Sequence, residues 1–123
     1  MSKSIIFEPK EFLKIAEDIH DTLSSEAAYR TVINRSFLSV VLEASILLEP
    51  LVGELPTDHT FYQKVEEALS KRNAIKSKDK VSTLRSLRID ADYRVNEPIT
   101  KNKADWALSI AKYLFDHMKD EIV

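Results

Sequence analysis

The sequence predicts an all-α protein, an antiparallel up-and-down helical bundle of four long helices plus a shorter fifth. Apolar residues recur at the three-and-four spacing of a helical face in five successive segments. No segment shows the sustained period-two alternation of a half-buried strand, so we expect no sheet. The links between the segments are mostly shorter than roughly ten residues, and short links join antiparallel neighbours.

The segment from Ala27 to Leu48 predicts the central helix of this bundle. Its apolar side chains cover most of its circumference, and a helix of that kind is usually buried by several neighbours. Ser24 or Ser25 can cap its start. Pro50 disfavours helical geometry at Glu49, so we expect the helix to end there.

The other four helices are predicted from their apolar stripes and from start and stop signals. We expect the first helix to run from about Pro9 to Leu23. Thr57 or Asp58 should cap the third helix, and a turn from Asn73 to Lys78 should precede the fourth. The fourth helix should end near Tyr93, and Thr100 should cap the fifth. The fifth helix also carries a second apolar row of Trp106, Ile110 and Tyr113. This row either widens the core-facing side of the helix or forms a subunit interface.

Composition narrows the classes of protein to consider. With 123 residues we expect a single domain over residues 1–123. The absence of cysteine excludes disulfides and thiolate metal ligands and fits a reducing compartment. A net charge of -2 argues against electrostatic nucleic-acid binding by the chain as a whole. No uninterrupted apolar run reaches the ~18 residues of a membrane span, and the N-terminus lacks a signal peptide's apolar core. We therefore expect a cytoplasmic protein without membrane contact.

Basic residues are concentrated between Lys71 and Arg88. Such a stretch is usually a solvated face, and the alternative is contact with phosphate groups. It lacks interleaved aromatic residues, which gives little support to stacking on single-stranded nucleic acid. Its members are Lys71, Arg72, Lys76, Lys78, Lys80, Arg85 and Arg88, against the single acid Asp79.

The usual catalytic patterns are absent from the sequence. His20, His59 and His117 lie on three different predicted helices, and none has a second histidine at metal-ligand spacing. Gly53 is the one glycine, so there is no glycine-rich phosphate loop. No serine lies in the context of a nucleophile elbow. The sequence predicts neither a metal nor a cofactor.

Two stretches of the chain resemble a known family. YRTVINRSFLSVVLEA, from Tyr29 to Ala44, resembles the second helix of HEPN domains, the higher eukaryotes and prokaryotes nucleotide-binding domains. LRSLRIDADYRVNEPIT, from Leu84 to Thr100, resembles a later HEPN pattern. The matching residues are Arg35, Ser36, Phe37, Leu38 and Ser39 in the first stretch, and Arg88, Ala91, Asp92, Tyr93, Pro98 and Thr100 in the second. With the helix order, the resemblance covers nearly the whole chain.

The resemblance implies an all-α bundle that is often a homodimer. Many HEPN proteins are metal-independent ribonucleases, and some are toxins paired with a small nucleotidyltransferase. Their catalytic motif is an arginine followed, after four to six intervening residues, by a histidine. This chain departs from that motif, because the candidate positions after Arg35 are Val40, Val41 and Leu42, and those after Arg30 hold no histidine either.

Two functions therefore remain open. The first is a non-catalytic HEPN-like module that binds nucleotide or RNA, or a nucleotidyltransferase-type partner. The second is a ribonuclease toxin of a toxin–antitoxin pair that uses Arg30, Arg35 and Tyr93 without the motif histidine. We favour the first, since the usual acid-base partner is missing.

A set of polar residues on the second and fourth helices is the candidate site. Its members are Arg30, Asn34, Arg35, Arg88, Asp90, Asp92 and Tyr93. In the functional interpretation Arg35 lines a cleft and receives a phosphate. In the structural interpretation, which we favour, Arg35 pairs with an aspartate at the end of the fourth helix, because buried charges are usually paired. Asp90 can pair with Arg94 four residues on, which leaves Asp92 as the expected partner of Arg35.

Overall fold

Five helices form most of residues 7–123, the part of the chain that the computed structural model describes. They are α1 (Lys10–Thr22), α2 (Glu26–Val52), α3 (Phe61–Lys71), α4 (Ile75–Tyr93) and α5 (Lys101–Ile122). Over this range there is no strand, so the predicted all-α bundle is confirmed. Residues 1–6, on which the expectation about a signal peptide rests, lie outside the described part.

Helix α2 lies at the centre and packs against each of the other four helices. Phe37, Ile33 and Leu48 are among the largest fully buried side chains, which confirms its predicted central position. Its broadest contact is with α5, a helix on which Ala104, Ala107 and Ala111 are fully buried.

The predicted end of α2 near Glu49 is wrong, because the helix continues through Pro50 to Val52. Proline lacks an N–H and crowds the preceding turn, but this close to a helix end it removes one of the last intrahelical hydrogen bonds and not a central one. The helix ends at Gly53, whose φ of 93° is unfavourable for a residue with a Cβ. The Gly53 N–H still donates to the Glu49 carbonyl, at 3.0 Å.

Two of the predicted caps are confirmed. Ser25 Oγ accepts a hydrogen bond from the Ala28 N–H at 3.1 Å at the start of α2. Thr100 Oγ1 accepts from the Lys103 N–H at 3.3 Å at the start of α5. Each satisfies one backbone donor that the first turn of a helix leaves unpaired.

The start of α3 differs from prediction, because neither Thr57 nor Asp58 caps it. Asp58 instead closes the preceding turn, where its carboxylate accepts from the Thr60 N–H at 2.8 Å and from the Thr60 hydroxyl at 2.5 Å. These hydrogen bonds lower the pKa of Asp58, with the bond from the Thr60 side chain as the largest cause.

The turn between α3 and α4 is shorter than the predicted Asn73–Lys78. Asn73 has a φ of 60°, a left-handed conformation that asparagine tolerates better than most residues. The Ala74 N–H donates to the Leu69 carbonyl at 2.9 Å, and the Asn73 N–H donates to the Ser70 carbonyl at 3.0 Å. This pair of bonds is a Schellman motif. One residue thus reverses the chain, and α4 starts at Ile75.

Helix α2 is also long and apolar enough to cross a membrane, judged by length and composition alone. Its most apolar window has a mean hydropathy of 1.5, and 56% of that window is buried inside the bundle. The central helix of a water-exposed bundle has the same properties, so this composition is weak evidence for a membrane span.

Leu48 and Leu51 offer a matched test of the packing around α2. Leu48 is fully buried and Leu51 is 44% exposed, one turn apart on the same helix. We expect Leu48→Ala to lower the free energy of unfolding by about 2–5 kcal/mol through lost burial and a cavity. Leu51→Ala should cost less than about 1 kcal/mol. Chemical denaturation measures both, and equal losses would contradict the central position of α2.

Candidate functional site

Arg30 closes the C-terminal end of α4. Its guanidinium donates to four main-chain carbonyls: Asp90 at 3.1 Å, Ala91 at 3.0 Å, Arg94 at 3.2 Å and Glu97 at 2.7 Å. The last carbonyls of a helix have no intrahelical donor, and a cation there also complements the helix dipole. Arg30 therefore holds α4 and the following loop against α2.

Glu26 completes this cap from the first turn of α2. One carboxylate oxygen lies 3.4 Å from Arg30 Nη2, and the other accepts from the Ile99 N–H at 3.2 Å. The Arg30 side chain is only 17% exposed, so a guanidinium with all these acceptors has little left for a ligand. Arg30 therefore has a structural role and is not a ligand-binding residue of the predicted polar set.

A second network joins α2 to α4 beside this cap. Arg35 Nη1 donates to Asn34 Oδ1 at 3.1 Å, and Asn34 Nδ2 donates to Asp92 Oδ2 at 2.9 Å. Asp92 Oδ2 also lies 2.9 Å from Arg88 Nε. Arg88 Nη2 in turn donates to the Tyr93 hydroxyl at 3.2 Å. We call these five residues the Arg35–Arg88 cluster.

The predicted ion pair between Arg35 and Asp92 is wrong. Asp92 pairs with Arg88, four residues earlier on the same helix, and Arg35 reaches Asp92 only through the Asn34 amide. The shared helix places Arg88 and Asp92 one turn apart, so that pair forms without any tertiary alignment. The alternative partner for Asp90 is observed, with Arg94 Nε 3.4 Å from Asp90 Oδ1.

Aromatic rings from three helices surround the Arg88 guanidinium. Its Cζ lies 5.8 Å from the ring centroid of Phe37, 5.4 Å from that of Tyr62 and 5.2 Å from that of Tyr93. Distances below about 6 Å allow attraction between the cation and the ring faces. Together with Asp92, these rings hold Arg88 in one orientation.

Arg35 keeps most of its hydrogen-bonding capacity. Its Cζ lies 5.5 Å from the Phe12 ring centroid, and the side chain is half-buried. Among residues 7–123, Asn34 Oδ1 is its one hydrogen-bond acceptor, and no carboxylate lies within ion-pair distance. A guanidinium has five N–H donors and cannot lose its proton. Counted over the described residues, the cluster thus holds two arginines against one carboxylate, and most Arg35 donors have no acceptor there.

The predicted basic stretch does not form one surface. Lys71, Lys78 and Arg85 line an open groove of about 610 Å³ between α3 and α4, together with Gln63, Glu66, Glu67 and Ser70. Arg72 instead donates to the Ile122 carbonyl at 3.3 Å, and Lys80 lies 4.5 Å from the Tyr113 ring centroid. Lys76 is exposed outside the groove. The basic stretch therefore does not form a continuous phosphate-binding surface.

The three histidines lie apart from both arginine sites. His20 Nε2 contacts the Asp105 carboxylate, and its Nδ1 is buried without a partner among the described residues. His117 packs beside Tyr113 with ring centroids 4.4 Å apart, and His59 is exposed. Over residues 7–123, no three histidine, cysteine or acidic side chains are grouped to hold a metal ion.

The second apolar row of α5 is buried in one part and exposed in another. Ile110 is buried and Tyr113 is partly buried against the core, as the core-facing interpretation predicts. Trp106 is 52% exposed and does not fit that interpretation. The subunit interface remains a prediction.

Comparison with family models, with curated proteins and with solved structures gave no match to this chain. The resemblance to HEPN domains therefore rests on the sequence motifs alone and stays a prediction.

Several residues of these sites were not predicted from the sequence. Phe12, Tyr62 and Glu26 are not members of the predicted site. The Phe12 ring nevertheless lies beside Arg35, and the Tyr62 ring lies beside Arg88. The Glu26 carboxylate pairs with Arg30. The spacing of four residues between Glu26 and Arg30 is the signal that could have revealed this pair.

The structural role of Arg30 can be tested by comparing the stability of variants at Arg30 and at Arg94. Arg30→Gln removes the donors of four carbonyls, and we expect it to lower the free energy of unfolding by about 2–4 kcal/mol. Arg94→Gln alters an arginine whose side chain is 64% exposed and should cost less than about 1 kcal/mol. Denaturation measures the loss, and amide hydrogen exchange should rise first at the end of α4. A stable Arg30→Gln variant would contradict the structural role of Arg30.

Proposed function

We propose that this protein is a non-catalytic, HEPN-like module that binds a phosphate-bearing ligand, a nucleotide or RNA, at the Arg35–Arg88 cluster. The single observation that carries the proposal is the half-buried Arg35 guanidinium, whose one acceptor in residues 7–123 is a neutral amide. Buried charges are usually paired, so an arginine that has no charged partner among residues 7–123 suits an added anion.

The chemistry of the cluster favours phosphate over other anions. Guanidinium groups bind phosphate through two parallel N–H donors, with stronger and more directional bonds than an ammonium gives. Arg88 is fixed by Asp92 and by the aromatic rings around it, so little ordering is needed when a ligand binds. Two arginines and one aspartate leave a net charge of +1 on the cluster (+2 − 1).

Tyr93 extends the site toward a nucleobase. It is 66% exposed at the end of α4, and its hydroxyl is held by Arg88. Aromatic side chains provide stacking surfaces for unpaired bases. Asp92 can accept a hydrogen bond from a ribose hydroxyl while it holds Arg88. These features support a nucleotide or an RNA end rather than inorganic phosphate alone.

The described part of the cluster has no imidazole, the acid-base group of the HEPN ribonuclease motif. None of the histidines in the described chain makes a hydrogen bond or ring contact with it, since His20 contacts Asp105 and Tyr29 and His117 contacts Tyr113. Cleavage of RNA needs a proton acceptor and a proton donor near the reacting groups. A homodimer and a small nucleotidyltransferase partner, both implied by the HEPN resemblance, belong to the same proposal.

Titration with AMP and a short single-stranded RNA, followed by amide chemical shifts, tests the binding proposal. We expect shifts at Asn34, Arg35, Arg88 and Tyr93. Arg35→Gln should weaken binding about tenfold or more through loss of charged hydrogen bonds. Arg94→Gln is the matched control, because it removes one exposed arginine near the cluster but outside it.

Equal affinity in the Arg35→Gln and wild-type proteins would refute the site. Shifts confined to other residues would also refute it. Inorganic phosphate is titrated in parallel, and binding as tight as that of AMP would remove the assigned contribution of Tyr93.

We predict no detectable cleavage of single-stranded RNA by the purified protein, because no imidazole accompanies Arg35. Gel analysis of a labelled RNA after long incubation measures this. Cleavage that survives purification and disappears in Arg35→Ala would establish the ribonuclease alternative instead.

A further inference from the structure

The groove between α3 and α4 presents a distribution of charge that the proposed function does not use. Its volume of about 610 Å³ is far larger than one inorganic ion needs, and both of its walls are helices. Lys71 in the last turn of α3 and Lys78 in the first turn of α4 lie at the end where the chain reverses. Arg85 follows two helical turns further along α4, about 10 Å away at 1.5 Å per residue.

The charges at the middle of the groove are already neutralised within the protein. Glu66 is 8% exposed, and one of its carboxylate oxygens accepts from the Ser82 hydroxyl. The other lies 2.6 Å from Arg85 Nε but off the line of that N–H bond, so this contact is an ion pair without a hydrogen bond. Arg85 therefore has its counter-charge in place.

The two lysines at the end of the groove are different. In the part of the chain that the structure describes, neither Lys71 nor Lys78 has a carboxylate within 4.0 Å. Glu67, the nearest groove carboxylate on α3, is held by Gln63 at 3.0 Å and by Lys64 at 3.3 Å. The contact from Gln63, then that from Lys64, lowers the pKa of Glu67, and the more distant Lys71 charge lowers it a little further. The lysine end of the groove thus remains positive at neutral pH.

The groove is positive at its lysine end and neutralised at its middle, and this difference favours one kind of anionic partner over another. A nucleic acid strand carries a charge on every nucleotide, so a strand lying along the groove would bring phosphates past the Glu67 carboxylate and past the Glu66–Arg85 pair, which has no net charge to attract them. A protein segment can place carboxylates at one end only and polar groups over the rest. From this complementarity we infer that the groove between α3 and α4 binds an acidic segment of a partner protein, with its carboxylates at Lys71 and Lys78.

The groove site is separate from the Arg35–Arg88 cluster. Arg88 turns toward Phe37, Tyr62 and Tyr93, whereas Arg85 turns toward Glu66. The inference does not depend on the proposed phosphate site, and Arg35→Gln should leave binding at the groove unchanged.

The test uses an alanine-rich helical peptide with two glutamates at one end, and the same peptide with glutamines, titrated against the whole protein. We expect the glutamate peptide to shift the amide signals of Lys71, Lys78 and their neighbours at up to millimolar concentration. The double variant Lys71→Glu with Lys78→Glu should weaken binding about tenfold or more, as two attractive pairs become repulsive. The control, Lys76→Glu with Lys101→Glu, makes the same change in net charge at exposed positions outside the groove and should bind as wild type does.

Three results would overturn the inference. The glutamine peptide could bind equally well, which would exclude charge complementarity. A short single-stranded RNA could displace the glutamate peptide from the groove, which would assign it to nucleic acid. Absence of shifts in the groove at millimolar peptide would show that it is a solvated surface.

Discussion

Helix α2 has apolar side chains on most of its circumference, and this constraint arranges the other four helices around it. A helix of that kind is stable in water only when its neighbours cover it. The broad contact with α5 and the contacts with α1, α3 and α4 provide that cover. The charged residues near the start of α2 can then lie only where α2 emerges beside the end of α4. The polar contacts between α2 and α4 are therefore concentrated at that end of the bundle.

At that place two arginines on the same helix have different roles. Arg30 donates to two carbonyls in the last turn of α4 and to two in the loop that follows. The carbonyls of Asp90 and Arg94 also accept a backbone N–H, so for them Arg30 adds a second donor. Arg35, five residues later, has a neutral amide as its one acceptor in the described chain. The cap fixes the end of α4, and with it the positions of Asp92 and Tyr93. A structural arginine thus positions the residues that a ligand would meet.

The sequence predicted the fold well, because helical periodicity and capping residues are local signals. Ser25 and Thr100 cap the helices that were expected to begin there. The end of α2 was missed because the steric rule for Pro50 is a preference, which the packing of the last turn overrides. The partner of Arg35 was missed for another reason: pairing between helices depends on their rotation, which periodicity does not fix. Arg30 and Arg35 were identifiable from the sequence, and so was the Glu26 partner of Arg30, but the main-chain acceptors of Arg30 were not.

A crystal structure of the protein grown with AMP would test most directly whether Arg30 has the structural role and Arg35 the ligand-binding role. The phosphate should lie within hydrogen-bond distance of Arg35 and Arg88, with Arg30 still bound to the carbonyls at the end of α4. An Arg35 paired with a carboxylate of the protein and no ligand beside it would contradict the account. So would a phosphate held by Arg30 with its cap broken.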